Sequence, residues 1–365
     1  MGRRVSWKYR MEHPKEFPYV CDLCKPANRR FKKLLSKESH DKMTSRHDRV
    51  SVQKRRMQRS NINKTIDSLL PDENYRHERN AVIKRIGNIL KNNVSLKYQP
   101  AEVITAGSTG KGTAIKGSSD VDIVFLLPKG TYNTVSRMLV DHTQILDDIK
   151  GTLKASGYTV TGRSARALQL RVTCYEPGSG RTHYIDVDIL PAANLENYKR
   201  PEIFQKMRDC PVAERKFFTP SLTKTQRGFV KSEIPAQLKR LIQYVKHWKT
   251  AMMKVKSPPS SYSFELLAIY LWQQDGKPQT FKIENGLRRV MEQLADYQSI
   301  KVEFFEYFNH NMHQRHIGPH IIDPVNPFSN VLDVSNSDWS AVALNARNYL
   351  KQAEMRNATS RFCDL

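Results

Sequence analysis

The residues best placed to do chemistry lie in AGSTGKGTAIKGSSDVDIVFLLP, residues 106–128. A small Gly107-Ser108 turn stands ahead of Asp120-Val121-Asp122, and that pair opens an apolar run. Side chains in a strand alternate faces. Asp120 and Asp122 therefore project together, while Val121, Ile123 and Phe125 face the other way. Two carboxylates at one strand end repel each other, and a divalent cation removes that cost. Hard oxygen ligands suit Mg²⁺, usually held by one or two carboxylates plus substrate phosphates. The Gly-Ser-Thr-Gly backbone beside them offers N–H donors to those phosphates. A second strand-like segment, YIDVDILPA at 184–192, carries Asp186 and Asp188 at the same spacing. A two-metal site needs a third carboxylate to complete it, and spacing alone leaves both candidates open. The chemistry expected is metal-assisted nucleotide transfer.

The elements that must position these groups follow from periodicity. A short helix is predicted over 61–70, ending at Pro71, and a longer one over 72–93, where Ala81, Val82, Ile86, Ile89 and Leu90 recur near helical spacing. That second helix is expected to brace the sheet from behind. Strands are predicted at 101–106, 120–127, 167–174 and 183–190, with a helix at 133–156 and a hairpin turn at GSGR, 178–181. Beyond about residue 215 strand patterns nearly stop. Helices are predicted at 223–232, 235–253, 261–274, 281–297, 301–307 and 337–356. The fold class is α/β: a mixed sheet braced by a long helix over 61–215, then a helical domain over 216–365, with the active site in the cleft between them.

At 365 residues the chain has room for two domains and a sizeable core. No apolar run approaches the ~20 residues of a membrane span, so no membrane partner is expected. The N-terminus is polar and basic, unlike a secretory signal. Five cysteines, two in a CxxC, do not make a disulfide framework. A reducing setting, cytoplasmic or nuclear, is expected. The net charge of +24 points to a polyanionic partner, because neutralising phosphates releases counterions. Half of that excess sits in residues 1–60, a basic arm. Within it, at 17–49, Cys21, Cys24, His40 and His47 have the C-x₂-C-x₁₅-H-x₆-H spacing of a tetrahedral Zn²⁺ site. The wide His–His gap is similar to that of matrin or U1-type fingers, several of which bind double-stranded RNA.

Gly-Ser, Asp-x-Asp and a later strand Asp together resemble the polymerase-β-like nucleotidyltransferases. With GSTGKGT, KGSSDVDIVFLL, DILPA, LKRLIQYVKHW, SYSFELLAIYLW, LLPDENY and IIDPVNPFSNV, the chain more closely resembles the 2′–5′-oligoadenylate synthetases and the cyclic GMP–AMP synthase-like receptors. The resemblance runs from about residue 61 to the end. It implies a double-stranded-RNA-activated enzyme that uses ATP or other NTPs and two Mg²⁺ ions. The product would be a 2′-linked second messenger of innate immunity, a 2′–5′ oligoadenylate or a cyclic dinucleotide.

The resemblance also implies residue roles. It selects Asp188 beside Asp120 and Asp122 as the third metal carboxylate, leaving Asp186 at the site's edge or in solvent. Gly107 and Ser108 would touch the donor triphosphate, Lys246 would bind it, and Tyr262 would stack on a nucleobase with Ser261 nearby. Ser261 stands where the oligoadenylate synthetases carry glutamine, a departure that bears on base selectivity. Lys111, Arg227 and Lys231 match positions that grip duplex RNA, whose binding would shift the bracing helix and the 107–113 loop. The finger is absent from the oligoadenylate synthetases. His247 and Trp248 are expected to pack, and His310, His313, His316 and His320 to form a surface patch.

Two other classes compete. One is a non-enzymatic double-stranded-RNA-binding protein with a degenerate nucleotidyltransferase domain. The other is a template-independent enzyme that extends RNA 3′ ends, which shares the carboxylates but not VKHW or the late DPVNP segment.

Overall fold

The structure, a computed structural model, describes residues 62–117, 120–175, 182–231, 234–253, 255–308, 316–352, 355 and 358–362. Asn61–Leu365 forms one compact unit. Its first helix, α1 (62–69), buries Ile62 and Ile66 and stops before Pro71. Helix α2 (Glu73–Asn93) is capped by Asp72, whose carboxylate accepts the Tyr75 N–H at 2.7 Å. Val82, Ile86 and Leu90 form its buried stripe.

A five-stranded sheet follows in the order β1-β2-β5-β4-β3. Its strands are β1 (Glu102–Thr105), β2 (Val121–Leu126), β3 (Val160–Arg163), β4 (Leu168–Tyr175) and β5 (Thr182–Ala192). Between β1 and β2 lies a short helix, α3 (Gly107–Lys111), and between β2 and β3 the long α4 (Val135–Ala155). Only β2 and β5 run parallel; the other pairs are antiparallel. Buried Val121, Ile123 and Phe125 of β2 join the core that holds the α2 stripe and Ile145, Ile149 and Leu153 of α4. The opposite face has a small apolar cover of Ile104, Ala106, Val124, Leu126 and Ala192. Asp122 shares that face with Val124 and Leu126, and it sits where the apolar cover stops.

The rest of the chain is largely helical. It comprises α5 (Arg200–Asp209), α6 (Phe218–Ser221), α7 (Thr223–Lys231), α8 (Ala236–His247), α9 (Ser261–Gln274), α10 (Ile283–Ala295) and α11 (Trp339–Leu350). The structure corrects the sequence reading in two places here. A second sheet joins β6 (Lys301–Val302), β7 (His320–Asp323) and β8 (Asn326–Asn330), so 301–307 is not a helix. These strands are short, and β7 is buried at every position, so no alternation marks it. Helix α8 also ends at His247 and passes into a π turn over Trp248–Met252 instead of running on to 253. Strand β3 and helix α5 had no counterpart in the sequence reading.

Candidate active site

The turn from β1 into α3 requires glycine. Gly107 has φ +56°, and a Cβ there would fall 1.7 Å from Asp122 Oδ2. At Gly110 a Cβ would lie 2.4 Å from the Thr105 carbonyl oxygen. The Ala106 N–H donates to the Asp122 carbonyl at 2.8 Å. The turn is thus built directly against the second carboxylate of the Asp-x-Asp pair.

Across the sheet, Asp122 is the register partner of Asp188 on the parallel strand β5. Asp120 immediately precedes β2. Burial, then the Asp188 and Asp120 charges, push the Asp122 carboxyl up to about 6. Burial and neighbouring carboxylates raise Asp120 and Asp188 as well, while a hydrogen bond from Gln169 partly offsets the rise at Asp188. Asp186 and Asp188 differ in their surroundings. Asp186 receives a two-pronged ion pair from Arg171, Nε to Oδ1 at 2.7 Å and Nη2 to Oδ2 at 3.0 Å. Asp188 lines the cleft instead.

That cleft, about 250 Å³, is bounded by Gly107, Asp122 and Asp188 on the sheet side and by Thr219, Thr223 and Gln226 from the segment beyond residue 215. Ser164 and Arg166 close a third side. Arg166 is a lining residue that the sequence reading missed. It sits in the turn between β3 and β4, where the Ser164 hydroxyl accepts the Arg166 and Ala167 N–H groups. Without a recognised β3, nothing located that turn; its Ser-x-x-Ala hydrogen-bonding pattern is the local feature that could have done so.

Lys111, Lys246, Ser261 and Tyr262 are not among the residues that line this cleft. Lys246 is 6% exposed, and its ammonium donates to the Thr113 carbonyl at 3.1 Å and hydroxyl at 2.9 Å. Thr113 Oγ1 in turn donates to Glu265 Oε2 at 3.0 Å. Lys111 is 5% exposed, pairs with Glu265 Oε1 at 2.6 Å and lies 4.3 Å from the centre of the Tyr262 ring. The Tyr262 hydroxyl donates to Asp323 Oδ1 at 3.1 Å, and Lys249 Nζ donates to Ser261 Oγ at 3.2 Å. Lys111, expected to grip duplex RNA, here keeps its ammonium against the buried Glu265 carboxylate.

Arg227 and Lys231 lie on α7, with Lys231 exposed and Arg227 half-buried, its Cδ 3.3 Å from where a Gly110 Cβ would stand. Trp248 is core, as expected of a packing residue. His320 is not on the surface: it is buried, with Nε2 3.2 Å from Glu303 Oε1. His310 and His313 lie outside the described residues, as do Cys21, Cys24, His40 and His47.

Among the described residues, no group of three or more His, Cys, Asp or Glu side chains is gathered tightly enough to hold a metal ion as it stands. The donor set nevertheless fits Mg²⁺ in kind. Asp120, Asp122 and Asp188 are hard oxygen donors whose burial and neighbouring carboxylates make ionisation costly, a cost that a bound cation relieves. Among the described residues no helix is long and apolar enough to cross a membrane.

Comparison with known proteins bears on the fold. The family model described as nucleotidyltransferase domain matches residues 83–210, and that described as 2′-5′-oligoadenylate synthetase 1, domain 2, C-terminus, matches 197–364. The chain is 26% identical over 317 residues to 2′-5′-oligoadenylate synthase 1A of Rattus norvegicus, covering 78% of this chain and 87% of that protein. It is 27% identical to the Mus musculus 1A protein, covering 78% and 85%. The inactive 2′-5′-oligoadenylate synthase 1B of Rattus norvegicus is also similar, 25% identical and covering 80% and 84%. The solved structure of E. coli MS115-1 CdnC with ATP superposes with a TM-score of 0.56 at 17% identity, covering 80% of this chain and 89% of that one. The complex of CdnC with HORMA-deltaN gives 0.52 at 18%, covering 77% and 84%. The chain therefore has a nucleotidyltransferase fold.

Proposed function

We propose that this protein is an oligoadenylate-synthetase-like nucleotidyltransferase that joins ATP, or ATP and a second NTP, through a 2′ linkage. The product is a linear 2′–5′ oligoadenylate or a cyclic dinucleotide, and the setting is antiviral defence. The observation that carries the reading is the register pairing of Asp122 with Asp188, with Asp120 adjacent and Gly107 packed against Asp122. In the reaction a ribose 2′-oxygen attacks the α-phosphorus of the donor, the bond to the β-phosphate oxygen breaks, and pyrophosphate leaves. Asp120, Asp122 and Asp188 would hold two Mg²⁺ ions, which when bound neutralise the triphosphate and acidify the attacking hydroxyl. Asp188 orients that hydroxyl. Gly107 leaves room for the phosphates to approach Asp122, and Ser108 donates to a β- or γ-phosphate oxygen. Lys246 offsets the charge of the departing pyrophosphate once freed from Glu265, and Tyr262 offers its ring to a base beside Ser261.

Double-stranded RNA is the proposed activator. The pairing of both Lys111 and Lys246 with Glu265 is what a resting arrangement requires, and exposed Lys231 with Arg227 offers the first phosphate contacts. The N-terminal Cys21, Cys24, His40 and His47 would hold Zn²⁺. A second reading, a non-enzymatic duplex-RNA binder, is favoured by one fact: the carboxylates are not gathered into a metal cluster as the structure stands. Labelled ATP and GTP with Mg²⁺, with and without long duplex RNA, separate the two. Small RNA-dependent products support synthesis. Tight duplex binding without turnover supports the second reading, and lengthened RNA 3′ ends mark a terminal transferase.

A further inference from the structure

Four carboxylates, not three, share one sheet face. Asp120 and Asp122 come from β2 and its approach, and Asp186 and Asp188 alternate along β5. Asp186 differs from the others in having a dedicated cation. Arg171 is its register partner on β4, and the planar guanidinium meets the carboxylate through two bonds, 2.7 and 3.0 Å long. Tyr184, two residues before Asp186 on β5, lies with its ring centre 5.6 Å from the guanidinium carbon. Arg171 also acts electrostatically on Asp120, opposing the push from Asp186.

The pair has little to do with holding the fold together. Arg171 is 56% exposed and Asp186 43%, a setting in which ion pairs contribute little to stability. Its consequence is for charge and ligand number beside the catalytic carboxylates. A lysine would supply the charge without the fork that occupies both carboxylate oxygens at once.

We propose that Arg171 is a positioning residue that withholds Asp186 from the metal-binding carboxylates, so that the site takes up divalent cations through Asp120, Asp122 and Asp188 at a reduced negative charge. The inference rests on the carboxylate assignment of the proposed function. Removing Arg171 makes the face one charge more negative and frees a fourth carboxylate. Removing the Asp186 charge makes it one charge less negative, and removing both restores the original balance.

The test is direct Mn²⁺ binding to the full-length protein, followed by the loss of the free-ion paramagnetic resonance signal, with thermal melts as a folding control. Arg171→Ala should lower the Mn²⁺ concentration for half-saturation by about three- to tenfold, and Asp186→Asn should raise it by a similar factor. The double variant should return to within about twofold of the parent, a restoration that a merely structural role does not produce. Unchanged binding in both single variants, or a double variant that stays shifted, overturns the role of Arg171 and leaves the three-carboxylate reading intact. A parent protein that binds no Mn²⁺ overturns both.

Discussion

Lys111 Nζ stands 2.6 Å from Glu265 Oε1, with both side chains buried, and Lys246 Nζ reaches the other oxygen of that carboxylate at 3.3 Å. One glutamate thus holds the end of α3 and the end of α8 to α9. Burial alone would raise the Glu265 carboxyl, but the two ammoniums outweigh it and hold it below the usual carboxylate range.

Glu265→Gln keeps the shape and removes the charge, leaving two buried ammoniums without their counter-ion. Breaking such a pair costs about 3–5 kcal/mol. Urea denaturation at neutral pH should show a loss of that order. A loss below about 1 kcal/mol would mean that water or another acid takes over the lysines.

Gly107→Ala addresses the sheet side of the cleft. The added methyl would occupy the position of Asp122 Oδ2, at a φ that alanine adopts only with strain. Product formation should fall at least about a hundredfold, because displacing a reacting group by about 1 Å costs on that scale. The stability loss should stay near 1–2 kcal/mol. Full activity in this variant would mean that Asp122 works from another position.

These two sites differ in how visible they were in the sequence. Period-two alternation put Asp120 and Asp122 on one face, and it put Asp186 and Asp188 on another strand's matching face. Both inferences need only neighbours along the chain. Lys111 needs a partner far away: Thr113, two residues on, meets Glu265 across 152 residues of sequence. No local pattern distinguishes a lysine destined for that burial from one on a surface. Strand β7 escapes the sequence pattern for a related reason, since a short, wholly buried run carries no period. Arg171 was passed over because its meaning lies in a cross-strand register that spacing along one strand does not reveal.

Asp323 supplies a pH dependence. Burial raises its carboxyl to about 6, against hydrogen bonds from the Val325 N–H and the Tyr262 hydroxyl that favour the charged form. The folded protein therefore holds a proton there that the unfolded chain has released, and stability falls as pH rises from about 4 to about 6. Its share is on the order of 3 kcal/mol at most. Asp323→Asn should flatten the urea midpoint across that window relative to the parent. An unchanged pH profile would show that Asp323 is already ionised at pH 4.

Zinc analysis of the full chain tests the N-terminal spacing. The purified protein should carry zinc, and Cys21→Ser should lose it while nucleotide chemistry in the 61–365 unit persists. Equal zinc content in both proteins would remove Cys21 from the ligand set.

The central claim is that Asp122 and Asp188, side by side on neighbouring strands, act together in nucleotide transfer. Its most direct measurement is synthesis from labelled ATP and GTP with Mg²⁺ and long duplex RNA, in parallel for the parent and Asp188→Ala, with duplex binding measured on both. The account requires small 2′-linked products from the parent, none from Asp188→Ala, and equal duplex affinity. Undiminished synthesis by Asp188→Ala, or a parent that binds duplex but turns over nothing, would contradict it.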